Sequence, residues 1–427
     1  MKRIAIIGGG AKAAALCAKA ACINTHDKQL EMTVFERNRF GAAWTGKSGY
    51  TDGEQSLCTP AERDVGFPYQ EGLLDAEGVQ ELFTRFSWAN FLIQQGDNQY
   101  RDWVDRGRRR PPHHLYADYL QRVIKTSGAK RRMREVTRLV RREGKWGIGY
   151  NLKGTRKLAL NFDGLVVTGP GPALRGFERP DDPRITNGVD FWRDPEAFLA
   201  QRRDDDAEPI VIAGSSGTAA AIAAWIARRH AHHPILIVGN QAALFTRTES
   251  FFENALFSDE DAWVALEAKE RIGASERLNR GVVWSSVSDV LSASSNIRFR
   301  PGRVVSAKIA PPIDEGAPDE LRLEVRNATG TADDSASLIV DAAGFDQWWF
   351  ADLLPAGPKA WTEAKGTLTR AEQRAHLKAA MGKDLAIELG AARIHAPMLS
   401  QSQGPGFASL MVLGAMSERI LKPYLDA

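Results

Sequence analysis

The chain has 427 residues, 43% of them hydrophobic, and a net charge of +3 with both signs interspersed. That length provides for two or three domains with ample core, and so small a charge excludes nucleic acid or an anionic membrane as an implied partner. Cys17, Cys22 and Cys58 form no C-x-x-C pair, so neither a disulfide framework nor a dithiol redox centre is expected.

In chain order, the apolar run Ile4 to Ile7 predicts a buried parallel strand, followed by a turn at Gly8, Gly9 and Gly10. Such a turn lets backbone amides approach a pyrophosphate at a helix N-terminus. Ala13 takes the third small position, where helix and strand pack closely, and Cys17 and Cys22 are expected to pack as small apolar residues on that helix. A second strand, Met32 to Phe35, ends in Glu36, placed to accept hydrogen bonds from a ribose diol. A glycine turn alone often does no more than end a strand; here strand, turn, Ala-rich helix, strand and acid all fall in order. Helical periodicity follows over Gln80 to Phe91, Tyr100 to Val104 and Tyr116 to Ile124, with Phe83, Phe86, Trp88, Phe91 and Trp103 assigned to core. The basic run Arg106 to His114 reads as a solvated loop before a helix, with a lip for NADPH phosphates as the second reading. Phe162 to Pro170 is a hydrophobic strand ending in small residues, among them Gly169, as needed where backbone passes close to a cofactor.

A second nucleotide site begins at Glu208, where an apolar strand runs into Gly214, Ser215, Ser216, Gly217 and Thr218 and then an Ala-rich helix. Its next strand ends in Gly239-Asn240, with no acid and no Arg, so the ribose contacts stay undetermined. His230, His232 and His233 read as positive charge at a helix C-terminus rather than a metal site. Gly214-Ser-Ser-Gly lacks the nucleophile-elbow pattern. Residues 246–297 alternate polar loops with helices (Phe251 to Phe257, Asp261 to Ala268, Val287 to Ala293) and read as a substrate-binding segment over the cofactor crevice. Pro311 to Asp319 reads as a loop, and Asn327 to Ser335 as a turn joining two strands. Ser337 to Phe345 is another strand ending in small residues, including Gly344. The chain is therefore expected to leave its first domain near Pro170 and return near Asp341.

The fold class expected is α/β, with two Rossmann-like dinucleotide-binding domains, for FAD and NADPH, and a helical substrate-binding segment. The FAD domain is assigned to 1–172 and 335–427, the NADPH domain to 173–245 and 298–334, and the substrate segment to 246–297. No secretory signal or long apolar span is seen, so a cytoplasmic location is expected.

Several strings are far more specific than the glycine turns: Tyr50-Thr-Asp-Gly-Glu, Asp64-Val-Gly-Phe-Pro-Tyr, Arg85-Phe-Ser-Trp, Trp103-Val-Asp-Arg-Gly, Leu244-Phe-Thr-Arg, Phe251-Phe-Glu-Asn-Ala-Leu-Phe-Ser-Asp and Gln403-Gly-Pro-Gly-Phe. With Gly8-Gly-Gly-Ala-Lys-Ala and Val167-Thr-Gly-Pro-Gly, they make nearly the whole chain resemble the flavin-dependent amine N-hydroxylases of siderophore biosynthesis, the mycobactin-type lysine N6-hydroxylases most closely. The resemblance implies that NADPH reduces FAD, O2 adds to give a C4a-hydroperoxide, and a terminal amine attacks its distal oxygen. No dedicated acid–base triad is needed, because the cofactor carries the chemistry. The partners implied are a small-molecule amine and O2; homo-oligomers are common in such a family, and no sequence feature sets the state.

The resemblance also assigns residues. Asn254 matches the substrate asparagine of the family's Phe-Val-Asn-Glu-Ile-Phe string, and Asn279 matches a second, where mycobactin-type relatives tend to have Asp. The alternative for Asn254 is a helix-cap or loop residue, and for Gln95 a solvated residue at a helix end. Gln95 stands where many ornithine hydroxylases have a Lys that holds the substrate carboxylate, and Ser402-Gln-Gly404 replaces their Thr-His-Gly. Cofactor contacts are implied at Trp44, Arg247 and Gly404, beside those at Gly8, Gly10, Ala13, Glu36, Gly169, Gly214, Ser216, Gly217, Thr218 and Gly344. The absent dithiol counts against the flavin disulfide reductases. Baeyer–Villiger and sulfur-oxidising monooxygenases form an alternative class, yet Ile185-Thr-Asn-Gly-Val-Asp-Phe replaces their F-x-G-x-x-x-H fingerprint. A flavin-binding partner protein without turnover is the non-enzymatic alternative.

Overall fold

The structure, a computed structural model of the chain, describes residues 1–427 except 26, 48, 204–205, 280–281, 312–318, 355–368, 390–391 and 426–427. The first strand, β1 (Lys2–Ile7), buries Ile4, Ala5 and Ile6 completely. Helix α1 (Ala11–Ile23) can lie close against it because its contact face is alanine, with Ala13, Ala14 and Ala15 fully buried and Cys17 and Cys22 packed among them. β2 (Leu30–Glu36) pairs β1 in parallel, Ile4 opposite Met32. A helical layer follows: α2 (Ala76–Phe86), α3 (Trp88–Gln95), α4 (Gln99–Asp105) and α5 (His113–Thr126). Asp75 and Ser87 start α2 and α3 by accepting from Gly78 N and Asn90 N. Phe86, Trp88 and Phe91 pack on Tyr116 and Tyr119 as core, whereas Phe83 lies 46% exposed on the outer face of α2, a correction to its core assignment.

Next come the edge strand β3 (Lys130–Met133), an antiparallel meander of β4 (Val136–Arg142), β5 (Lys145–Leu152) and β6 (Thr155–Phe162), and β7 (Gly164–Val167), which returns beside β1. The chain then builds a second body from β8 (Ile185–Asn187), α6 (Pro195–Leu199), β9 (Ile210–Ala213), α7 (Gly217–Arg229) and β10 (Ile235–Gly239). β11 (Phe245–Arg247), α8 (Phe251–Ser258), α9 (Glu260–Val264), α10 (Ala268–Asn279), β12 (Val282–Trp284) and α11 (Ser285–Ser292) make up the intervening segment. β13 (Ile297–Pro301), the meander β14 (Arg303–Ala310), β15 (Glu320–Asn327) and β16 (Gly330–Ala336), and β17 (Leu338–Asp341) complete it. α12 (Arg370–Ala379), β18 (Ala386–Leu389), β19 (Ala392–His395) and α13 (Leu413–Leu421) belong again to the first body.

Among the described residues the first body centres on a six-stranded sheet, β18-β19-β7-β1-β2-β3, and the second on a five-stranded one, β13-β10-β9-β17-β8. Three sequence expectations are corrected. β17 pairs β9 and β8 in the second sheet, with Leu338, Ile339 and Val340 fully buried there, so the return to the first body falls after Asp341 and not at residue 335. Gly330–Ala336 is a strand in register with β15, not part of a turn. The helix expected over Asp261 to Ala268 stops at Val264. The predicted loop Pro311 to Asp319 lies, apart from its ends, outside the described residues. The two crossovers run side by side: Leu174 N donates to Gly344 O and Asp346 N to Pro172 O, both at 2.9 Å. No helix among the described residues is long and apolar enough to cross a membrane.

Candidate active site

The loop after β1 is shaped by three different glycine requirements. Gly8 has φ +99°, and a Cβ there would stand 2.7 Å from Thr168 Oγ1, the hydroxyl that donates to Ile7 O and Gly8 O and so ties β1 to β7. A Cβ on Gly9 would strike the Phe40 ring at 2.4 Å. Gly10, at the start of α1, faces open space, with no atom within 4 Å, as does Gly344; Gly169 has a single neighbour, at 4.0 Å. Glu36 closes this concavity at the end of β2, accepting from Gly9 N at 2.8 Å and Asn38 N at 2.9 Å. Each carboxylate oxygen keeps a lone pair for a further donor, so bare amides, a helix N-terminus and a poised acid fit a pyrophosphate and its ribose.

Around it, Trp44 stacks on His113 at 5.7 Å, and burial pushes the His113 pKa down to about 4, leaving a neutral ring. Gly404 has φ +143°, and a Cβ there would lie 3.2 Å from the Phe407 ring.

The second glycine loop repeats the arrangement. Gly214, φ +143°, has no room for a side chain because a Cβ would lie 2.4 Å from Ala342 O, while Gly217 at the start of α7 faces open space. Ser216 is the residue before that helix, and Thr218 packs toward Gly188. A cavity of about 240 Å³ lies between the two bodies, lined by Cys58 and Thr59 from the first, Gly217 from the second, and Arg247, Trp284 and Met411. Arg247 sits with its guanidinium carbon 4.2 Å over the Phe257 ring, and its buried Nε has no hydrogen-bond partner among the described residues. Burial lowers its pKa against the opposing charges of Glu249 and Glu253. The buried Nε–H is left free for a further acceptor.

No family model matches the chain. The chain is 34% identical over 429 residues to the L-lysine N6-monooxygenase MbtG of Mycolicibacterium paratuberculosis, which covers 99% of this chain and 95% of that protein. The enzyme of the same name from Mycobacterium sp. is 35% identical over 439 residues, with the same coverage. This chain belongs to the flavin-dependent lysine N6-monooxygenase family. The lysine monooxygenase NbtG of Nocardia farcinica has the same architecture, with a TM-score of 0.77 at 27% identity over 98% of this chain and all of that one. An ornithine N-hydroxylase of Kutzneria sp. 744 shares the fold at 15% identity, TM-score 0.70, over 99% and 98% of the two chains.

In this monooxygenase the residues matched to substrate contacts are spread along three helices. Asn254 lies in the first turns of α8, where Ser250 accepts from Glu253 N; the cap is therefore Ser250, and the capping alternative for Asn254 is overturned. Its Nδ2 donates to Glu249 Oε2 at 2.5 Å. Phe251 and Phe252 beside it are 81% and 82% exposed, on the outward face of α8, whereas Phe257 is buried. Gln95 is the exposed last residue of α3, and Asn279 ends α10. Arg247 and Gly217 meet at the cavity, whereas Gln95 and Asn254 are not among its described lining residues.

Two residues of the monooxygenase escaped the sequence reading. Lys12, quoted there within the glycine string and given no role, is buried and donates from Nζ to Phe407 O at 3.1 Å and Ser409 O at 2.8 Å. It thereby anchors the segment after Gly404 to the first turn of α1, and burial pushes its pKa down to about 7. A charge in an alanine-rich buried helix, one of two with Lys19, was the available signal. Glu249, beside a conspicuous apolar string, carried none.

Proposed function

We propose that this enzyme hydroxylates the terminal nitrogen of lysine, or of a closely similar aliphatic amine, with FAD, NADPH and O2, and so supplies a precursor of a hydroxamate siderophore or related metabolite. The observation that carries this reading is full-length identity of about a third to L-lysine N6-monooxygenases, joined to two open glycine cradles, the second of which borders a cavity through Gly217.

The concavity of Gly10, Gly169, Gly344 and Glu36 holds FAD, with Ala13 keeping α1 close and Trp44 and Gly404 alongside. Gly214, Ser216, Gly217, Thr218 and Arg247 would hold NADPH, the guanidinium supplying positive charge for its phosphates. Bound FAD, once reduced, supplies the activated oxygen atom. An alkylammonium, with a reference pKa of about 10.4, has no lone pair, so the protein must favour the neutral amine by desolvation. Trp284, Val287, Leu410 and Met411 supply an apolar wall for that purpose. Excluding water there also protects the oxidising species from unproductive collapse to H2O2. Asn254 and Asn279 orient the amino-acid end, and Gln95, an uncharged residue, weakens the case for free ornithine.

The test is mass spectrometry of products from a panel of lysine, ornithine, cadaverine and acylated lysine, run with NADPH and O2 consumption. Hydroxylamine from lysine or a close analogue, and mostly H2O2 without amine, is expected. A product shift with a ketone or thioether and none with any primary amine would overturn the reading.

A further inference from the structure

Two elements from different bodies converge on one carboxylate. Arg110, in the loop before α5, places Nη2 3.2 Å from Glu249 Oε1, and Asn254 of α8 donates to the other oxygen at 2.5 Å. An ionised carboxylate only accepts, so the Asn254 atom turned toward it is the amide nitrogen, which removes the usual ambiguity between the two ends of an amide. Glu249 is itself held: the Arg110 guanidinium lies 4.2 Å over the Trp284 ring, and Trp284 forms part of the cavity wall. A chain of contacts thus runs from cavity wall to amide, and no donor among the described residues reaches Asn254 Oδ1.

We propose that Glu249 is a specificity-determining positioning residue, which with Arg110 locks Asn254 as an acceptor so that it takes the α-ammonium of lysine and not its carboxylate. The inference rests on the reading that Asn254 contacts substrate. An amide free to turn would serve either group; one pinned through its NH2 offers an oxygen, which attracts N–H and repels a carboxylate.

The discriminating substrate is ε-aminohexanoate, which keeps the reacting amine and the carboxylate but lacks the α-ammonium. Glu249→Ala should raise KM for lysine roughly ten-fold while shifting KM for ε-aminohexanoate by less than about twofold, with kcat changed far less than KM. Glu249→Gln, whose side-chain oxygen can still accept from Asn254, should recover most of the loss. Arg110→Gln should reproduce the selective rise, and it carries the test if Glu249→Ala fails to retain FAD or to fold. An equal KM rise for both substrates, or none, overturns the positioning role. The two readings separate cleanly: Asn254→Ala with unchanged KM for lysine removes the substrate contact itself, whereas a rise in Asn254→Ala without one in Glu249→Ala removes only the role of Glu249.

Discussion

Asn254 and Lys12 differ in what their hydrogen bonds are for. If Asn254 holds substrate, Asn254→Ala loses one or two bonds to a charged group, roughly 1 to 3 kcal/mol, or about ten- to a hundred-fold in kcat/KM. FAD content and the rate of flavin reduction by NADPH should hold, and H2O2 should rise at the expense of hydroxylamine; equal damage to flavin binding would count against the assignment. Lys12 holds protein to protein. Its pKa falls from 10.5 to about 7 through burial, so between those values the unfolded chain carries a proton that the folded chain does not. Stability must then rise with pH across that window, and below pH 7 the full penalty of a buried charge is present. In urea unfolding of FAD-free protein, wild type should gain on Lys12→Met from pH 7 to 10. Parallel pH profiles for the two would refute a neutral buried Lys12. Lys12→Met also strands the carbonyls of Phe407 and Ser409, at about 1 to 3 kcal/mol each.

At the scale of elements, the β1–turn–α1 unit separates glycines that the fold needs from glycines that a ligand needs. Gly8→Ala combines a positive φ with a Cβ 2.7 Å from Thr168 Oγ1, and should lower the melting temperature and the yield of folded protein. The Cβ of Gly10→Leu points into open space, so the variant should fold with near wild-type stability yet take up little FAD. Flavin absorbance and thermal melts of the two variants check this. Full FAD content in Gly10→Leu would place the pyrophosphate elsewhere.

On the scale of the molecule, the two bodies are joined by paired crossovers, and an ion pair of the second body lies next to those crossovers in the chain. Asp341, at the end of β17 and 1% exposed, accepts from Gly176 N at 2.8 Å and from Arg179 at 2.7 Å. Asp341→Ala leaves that arginine and amide without their acceptor in a dry setting, a loss on the order of 3 to 5 kcal/mol. Hydrogen exchange should show early loss of protection at the Leu174 and Asp346 amides, which pair the crossovers. Protection unchanged there would mean that the joint does not depend on Asp341. Arg228 of α7, 3.6 Å from Asp52, adds a more exposed contact between the bodies, worth little by itself.

Both nucleotide loops, their strands and the helical layer were legible in the sequence because local pattern decides them: an apolar run, a turn only glycine can make, and an alanine face that can approach a sheet. The family was legible too, in strings such as Asp64-Val-Gly-Phe-Pro-Tyr and Gln403-Gly-Pro-Gly-Phe. Sheet membership was not. Leu338–Asp341 reads as a buried strand in either body, and only its pairing with β9 and β8 places it, since hydrogen-bond partners far away in sequence leave no mark on an apolar run. The meander β4 to β6 was not identified, although Trp146, Ile148, Tyr150 and Leu152 alternate at the period of a strand; its last strand, Thr155–Phe162, is largely exposed. Likewise nothing local to Glu249 predicts Arg110, 139 residues away, or to Lys12 the carbonyls of Phe407 and Ser409. Local chemistry determined what each segment is, and even sets the Asn254 amide against Glu249 five residues away; only long-range packing decided which charges meet, as Arg110 meets Glu249.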